Sequence, residues 1–429
     1  RPVAEFRGKP IGTGTDLWRM WSDYRAKKIS EETWKEFEGC LNCGLGSCNT
    51  MGTASSVAMM VEALGLTLPG TSVIPENNPA RKVAAFNSGR EIVKMVNNEV
   101  IPSKILTPAA FRNAMRVLHA CGGSTNAIIH LLAISGRIEG GLTLGAINEL
   151  GAGLAVIADV EPSGAKLIQD FNQAGGLPAL IANCGENFEL DEQTLIGKSW
   201  REIVKGISPT NKTIRKLDDP IYPSAAFAVV KGNLAPNGAV IKISAASKEL
   251  LSHTGPAVVF HGYADMRSRI DEPSLNITKD SVLVLRDCGP VGVPGMPEWG
   301  MIPVPKKLIE AGVTDMVRIS DARMSGTSFG TCVLHISPES AVGGPLALVK
   351  DGDQIKLDVS SGSLELLVDN GEIEKRKLNW QAPVSEHLRG WPALYQAHVM
   401  QADLGCDLDF LRPKNKIERR FVPPIVGRS

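Results

Sequence analysis

The chain has 429 residues, 43% of them hydrophobic, and its 46 basic side chains balance 46 acidic ones to a formal net charge of zero. That length suggests two or three domains. The even charge gives nucleic acid and acidic membrane surfaces no electrostatic footing, so a small molecule is the expected ligand. The longest apolar stretches, such as AIIHLLAI at 127–134, fall short of the roughly 20 residues a bilayer requires. Eight cysteines are too sparse for a disulfide scaffold and fit a reducing cytoplasm. No basic-then-apolar leader opens the chain, and Arg1 stands where an initiator methionine is expected, so the N-terminus reads as internal.

From about residue 30 to 220, helical periodicity (EETWKEFE, SSVAMMVEALGL, AAFNSGREIVKMVNNEV) alternates with short apolar runs and Gly/Pro punctuation, which predicts an α/β domain over 1–222. One helix is predicted at about 53–65, leaving a Gly/Cys-rich loop. A second is predicted at about 124–135, after Gly122 and Gly123, with Ser124 or Thr125 as cap. Past KLDDPIYPS at 216–224 the pattern changes to short β-rich runs: FAVV, AVIKI, PAVVF, SVLVL, DQIKLDV and SLELLV. A β-rich, barrel-like domain is therefore predicted over 223–429, with one helix at KKLIEAGV, 306–313. The basic, proline-containing tail from 412 reads as a surface or subunit-packing segment.

Four segments carry candidate chemistry. In GCLNCGLGSCNTMGTAS (39–55) glycines admit close backbone approach and thiols offer soft metal ligands. Cys40 and Cys43 have CxxC spacing, but no second pair completes a zinc site. Cys48 is either a metal ligand or a structural thiol. In PVGVPGMPEWGMIPVP (290–305) Glu298 is a lone acid in a rigid loop after a strand: a magnesium ligand, a general acid/base, or a cap for the following helix. In ISDARMSGTSFGT (319–331) Ser325 lies in a hydroxyl-rich loop suited to an anion. The GxSxG elbow is missing, and a serine acts as a base only where something such as a metal cation lowers its pKa. CGGSTNAIIH (121–130) is either a substrate contact at a helix start or ordinary capping. His119, His130 and His335 read as structural.

These segments, with EALGLTLPG at 62–70, NLAPNGAVIK at 233–242, SPESAVGGPLA at 337–347 and QADLGCDLDFL at 401–411, resemble the dihydroxy-acid and phosphogluconate dehydratase family. MPEWG and MSGTS favour its sugar-acid branch, of which L-arabinonate and D-xylonate dehydratases are members. The resemblance implies a hydro-lyase that converts an aldonic acid to the 2-keto-3-deoxy acid. It also implies a [2Fe–2S] cluster with Cys48 as one of three thiolate ligands, Mg2+ with Glu298 as a ligand, Ser325 as the base and Thr327 as a substrate contact. Cys40 and Cys43 lie outside that ligand set. A cytoplasmic homodimer or homotetramer is expected. The family's other two cluster cysteines, its remaining acidic metal ligands and its carbamylated lysine are expected in an N-terminal segment that this chain lacks. A dihydroxy-acid dehydratase of branched-chain amino-acid biosynthesis and an inactive truncated form are the alternatives.

Overall fold

A hairpin opens the chain: β1 (Ala4–Phe6) and β2 (Lys9–Ile11) are joined through Arg7 and Gly8, both at positive φ, as a two-residue turn that follows the strand twist requires. The computed structural model describes residues 1–413, and the tail from 414, expected as a packing segment, lies outside the described residues. Helices α1 (Thr15–Arg25) and α2 (Glu31–Cys40) follow, α2 capped by Ser30, whose hydroxyl accepts from the Thr33 amide. Phe37 at the end of α2 packs edge-on against Phe6 and ties this pair of helices to the hairpin.

Helices α3 (Thr53–Ala63), α4 (Ala80–Asn97), α5 (Pro108–Cys121) and α6 (Thr125–Ser135) form the body of the N-terminal half. Met59 and Met60 of α3, Phe111 and Leu118 of α5, and Ile128 and Leu132 of α6 share one core. Gly122, left-handed at φ 63°, ends α5, and Ser124 caps α6 by accepting from the Asn126 amide, as its sequence predicts. Helix α4 buries no side chain, and Phe86, Val93 and Val96 on it are exposed.

The α/β expectation for residues 1–222 is corrected here. Apart from the β1–β2 hairpin, no sheet occurs in this half among the described residues. One of its short apolar runs, LAVIADV (154–160), forms only single-residue bridges, Val156 to Tyr222, Ala158 to Ile214 and Val160 to Lys166. Its side chains are buried among helices instead. An apolar run bounded by turns satisfies either environment, and periodicity does not separate them.

The expected barrel is present and closed. Its strands are β3 (Phe227–Gly232), β4 (Ala235–Lys242), β5 (Ser252–His261), β6 (Val282–Arg286), β7 (Arg318–Ser320), β8 (Cys332–Ser337), β9 (Gln354–Asp358) and β10 (Ser363–Leu366). They run in the order β10-β3-β4-β8-β7-β6-β5-β9. Val230, Ile241, Val259, Val284, Ile319, Val333, Ile355 and Leu364 share one core, so the barrel is packed rather than hollow. Strands β5 to β8 are mutually parallel, so the loops that leave β6 and β7 emerge at the same end. Those loops carry Glu298 and Ser325. Among the described residues no helix is long and apolar enough to cross a membrane.

Candidate active site

The loops after β6 and β7 are bound to each other through their backbones. Glu298 and Arg323 form a bridge, the Trp299 amide donates to Arg323 O (3.3 Å), and the Ser325 amide donates to Gly300 O (2.7 Å). Glu298 is thereby set beside Ser325 although 27 positions separate them in the chain. The loops are also anchored at their roots. Buried Asp321 accepts from the Cys288 amide and from both the amide and hydroxyl of Ser340, while Glu339 accepts from the Val291 and Gly292 amides. Burial raises both carboxyls, Glu339 to about 7.

The helical half supplies the opposite wall. Asn126, buried in the first turn of α6, donates from Nδ2 toward Glu298 Oε2 (2.6 Å), Met324 O (2.9 Å) and Thr53 Oγ1 (3.0 Å). Thr53, the first residue of α3, lies 3.4 Å from the same Glu298 oxygen and 3.1 Å from Ser124 Oγ. Two helix N-termini therefore converge on one carboxylate, with their dipoles favouring negative charge there. Glu298 keeps an edge open to solvent, yet the surrounding protein raises its carboxyl; the Ser325 hydroxyl, the Arg323 guanidinium and Thr53 oppose this. The capping alternative for Glu298 falls, because the helix at Lys306–Glu310 begins at Pro305 without a side-chain cap.

Ser325 Oγ and Thr327 Oγ1 are 2.9 Å apart, and the Thr327 amide lies 3.4 Å from Ser325 Oγ. Trp18 of α1 reaches across to place its indole Nε1 3.2 Å from Thr327 Oγ1. Glycines make this approach possible: a Cβ on Gly14 would stand 2.3 Å from the Thr327 methyl, and one on Gly326 would stand 2.4 Å from Ser124 Oγ. A cavity of about 500 Å³ opens beside Glu298, lined by Trp18, Tyr263, Trp299 and Gly300, with Tyr263 and Trp299 stacked at 4.8 Å. Below Ser325 a small recess is lined by Thr125, Ser328 and Lys242. The Lys242 ammonium donates to Gly122 O (2.7 Å), and burial pulls it down to about 8.

Cys48 is half-buried and lines a second cavity, of about 250 Å³, together with Ser55, Ser72, Glu76 and Arg81. Its neighbour Asn49 fixes the loop, accepting from the Thr13 amide (2.8 Å) and donating to Ile11 O (3.0 Å). Cys43 is exposed, with its thiol 3.3 Å from Pro2 O. Cys121, Cys184, Cys288 and Cys332 are buried thiols, and burial raises each of them. His119 and His335 are enclosed and held neutral by burial, lowered to about 4 and about 3.

The donors present fit the two expected inorganic groups unequally. Around Glu298 they are hard oxygens: its carboxylate, the hydroxyls of Thr53 and Ser325, and Asn126 Oδ1, which is enclosed without a hydrogen-bond partner. That set suits Mg2+, which binds through few protein carboxylates. For an iron–sulfur cluster the described residues offer Cys48 but no group of three or more His, Cys, Asp or Glu side chains. They do not by themselves form a cluster site.

Trp18, Asn126, Thr53 and Lys242 were not singled out as individual residues from sequence. Asn126 falls inside the flagged 121–130 segment, whereas nothing local marks Trp18 or Lys242.

A packed barrel whose strand-end loops meet helix N-termini around an acid and a hydroxyl pair defines a small-molecule enzyme site. Residues 4–203 match the Dihydroxy-acid/6-phosphogluconate dehydratase N-terminal family and residues 212–406 its C-terminal family. The chain is 45% identical to L-arabonate dehydratase of Azospirillum brasilense over 95% of its length and 72% of that protein. It is 44% identical to L-arabinonate dehydratase of Rhizobium leguminosarum bv. trifolii over 95% of its length and 71% of that protein. It is 43% identical to 6-deoxy-6-sulfo-D-gluconate dehydratase of Pseudomonas putida over 98% of its length and 73% of that protein. The chain belongs to the dihydroxy-acid/6-phosphogluconate dehydratase family.

Proposed function

We propose that the protein dehydrates an aldonic sugar acid, a pentonate such as L-arabinonate or D-xylonate, to the 2-keto-3-deoxy acid. The observation that carries this reading is the meeting of Glu298, Ser325 and Thr327 at one barrel end beside an aromatic-walled cavity. The relatives' sugar-acid substrates support it. Loss of water from a 2,3-dihydroxy acid requires removal of a weakly acidic C2 proton and departure of the C3 hydroxyl. Ser325 Oγ is the group that takes the C2 proton. Thr327 Oγ1 contacts the substrate beside it, and the enol that results ketonises to the product. Glu298 is the proposed Mg2+ ligand and Cys48 one proposed thiolate ligand of a [2Fe–2S] cluster. Mg2+ held at Glu298 would supply Lewis acidity that acidifies the C2 proton.

The proposal includes a division near residue 222, cytoplasmic location and assembly as a homodimer or homotetramer. Turnover rates on L-arabinonate, D-xylonate and 2,3-dihydroxyisovalerate test the substrate class. Faster turnover of either pentonate is expected, and preference for 2,3-dihydroxyisovalerate would move the protein to the branched-chain reaction.

A further inference from the structure

We infer that Trp18 is a positioning residue whose indole N–H fixes the Thr327 hydroxyl so that it donates to Ser325 Oγ. The inference rests on the reading of Ser325 as the base. An indole nitrogen donates and never accepts, so at 3.2 Å the Trp18 N–H occupies a lone pair of Thr327 Oγ1. Thr327 then has one hydroxyl hydrogen to place, and its other side-chain neighbour within hydrogen-bond distance is Ser325 Oγ at 2.9 Å. In the opposite arrangement Ser325 would donate to Thr327. That would leave the Thr327 hydrogen, on a side chain only 5% exposed, with no acceptor among the described residues. A buried donor without a partner forfeits its bond, so the direction from Trp18 through Thr327 to Ser325 is favoured.

The Thr327 amide approaches the same oxygen at 3.4 Å, so two donors from one residue face Ser325 Oγ. Ser325 is thus held as an acceptor, and donors aimed at its oxygen favour the deprotonated form, the one that can take a proton from substrate. The scaffold keeps Trp18 in place. Its ring lies against Gly300, where an added Cβ would stand 2.8 Å from Cη2, and Gly300 is also the residue whose carbonyl holds the Ser325 amide. One glycine therefore sets both ends of the arrangement.

The test uses the metal-loaded protein with the pentonate that it turns over best. Trp18→Phe keeps the ring and removes the N–H; it is expected to lower kcat about tenfold with KM changed less than about twofold, as loss of one directed hydrogen bond predicts. Thr327→Ser, which keeps the hydroxyl, should restore most of the rate lost in Thr327→Val. In protein labelled with 15N-tryptophan, the Trp18 indole N–H resonance should shift in Thr327→Val and stay in place in Ser325→Ala, a readout that needs no turnover. Three results would each overturn the inference: an unshifted indole resonance in Thr327→Val, an unchanged kcat in Trp18→Phe, or an effect of Trp18→Phe on KM alone. The underlying reading fails separately, if Ser325→Ala retains turnover.

Discussion

Replacing Asn126 by Asp changes one atom's chemistry at the centre of the site without changing its size. Asn126 Nδ2 donates to Glu298 Oε2 at 2.6 Å and to Met324 O at 2.9 Å. The substitution sets a second carboxyl against Glu298. Two ionised carboxylates with charge centres about 4 Å apart repel by about 4 kcal/mol at an effective dielectric of about 20. The solvent-facing edge of Glu298 screens this toward about 2 kcal/mol. At acid pH the pair avoids the repulsion by keeping a shared proton, which also restores a donor between the two groups. The folded protein then holds more protons than the unfolded chain, so stability is present at low pH and falls as pH rises. Asn126→Asp should be only slightly less stable than the parent at pH 5.5, with a further deficit of about 2–4 kcal/mol by pH 9. Urea unfolding of both proteins across that range measures it. An equal deficit at every pH would refute the placement of Asn126 against Glu298.

Gly14→Ala should displace Thr327, because the new methyl would stand 2.3 Å from the Thr327 methyl; a drop in turnover of at least about tenfold with the fold retained by circular dichroism is expected. His119 is lowered to about 4 by burial, so the unfolded chain, near its ordinary 6.5, takes the proton first. The native state therefore loses about 2 kcal/mol from this residue as pH falls from 6.5 to 4.5. His119→Gln, which keeps a donor for Ile147 O, should flatten the acid limb of the stability profile by about that amount. Cys48→Ser should lower bound iron and acid-labile sulfide in the metal-loaded protein, while Cys43→Ser should not; equal loss in both would move the cluster ligand away from Cys48.

The barrel was legible because short β-rich runs recur between turn residues; FAVV and PAVVF fall within observed strands, while AVIKI and SVLVL overrun theirs by one residue each, Ile243 and Ser281. Strand β8 was passed over because Cys332, His335 and Ser337 break the apolar run, although all three are buried. The helix starts at Thr53 and Thr125 were legible from small and hydroxyl residues. The α/β reading of the N-terminal half failed because a short apolar run such as LAVIADV meets helices rather than a sheet. Within the site, Glu298 and Ser325 stood out because rigid or hydroxyl-rich loops announce themselves locally. Trp18 did not: its partner Thr327 lies 309 positions away, and a tryptophan in an amphipathic helix reads as packing until the fold brings its N–H to a hydroxyl.

The central claim is that Ser325 Oγ removes the C2 proton from an aldonic acid. Its most direct test is deuterium exchange and turnover of C2-labelled pentonate by Ser325→Ala, with Glu298 unchanged. The account predicts that substrate still binds and iron content holds, while release of the C2 label and formation of the 2-keto-3-deoxy acid are both abolished. Release of the label at the parent rate would contradict it.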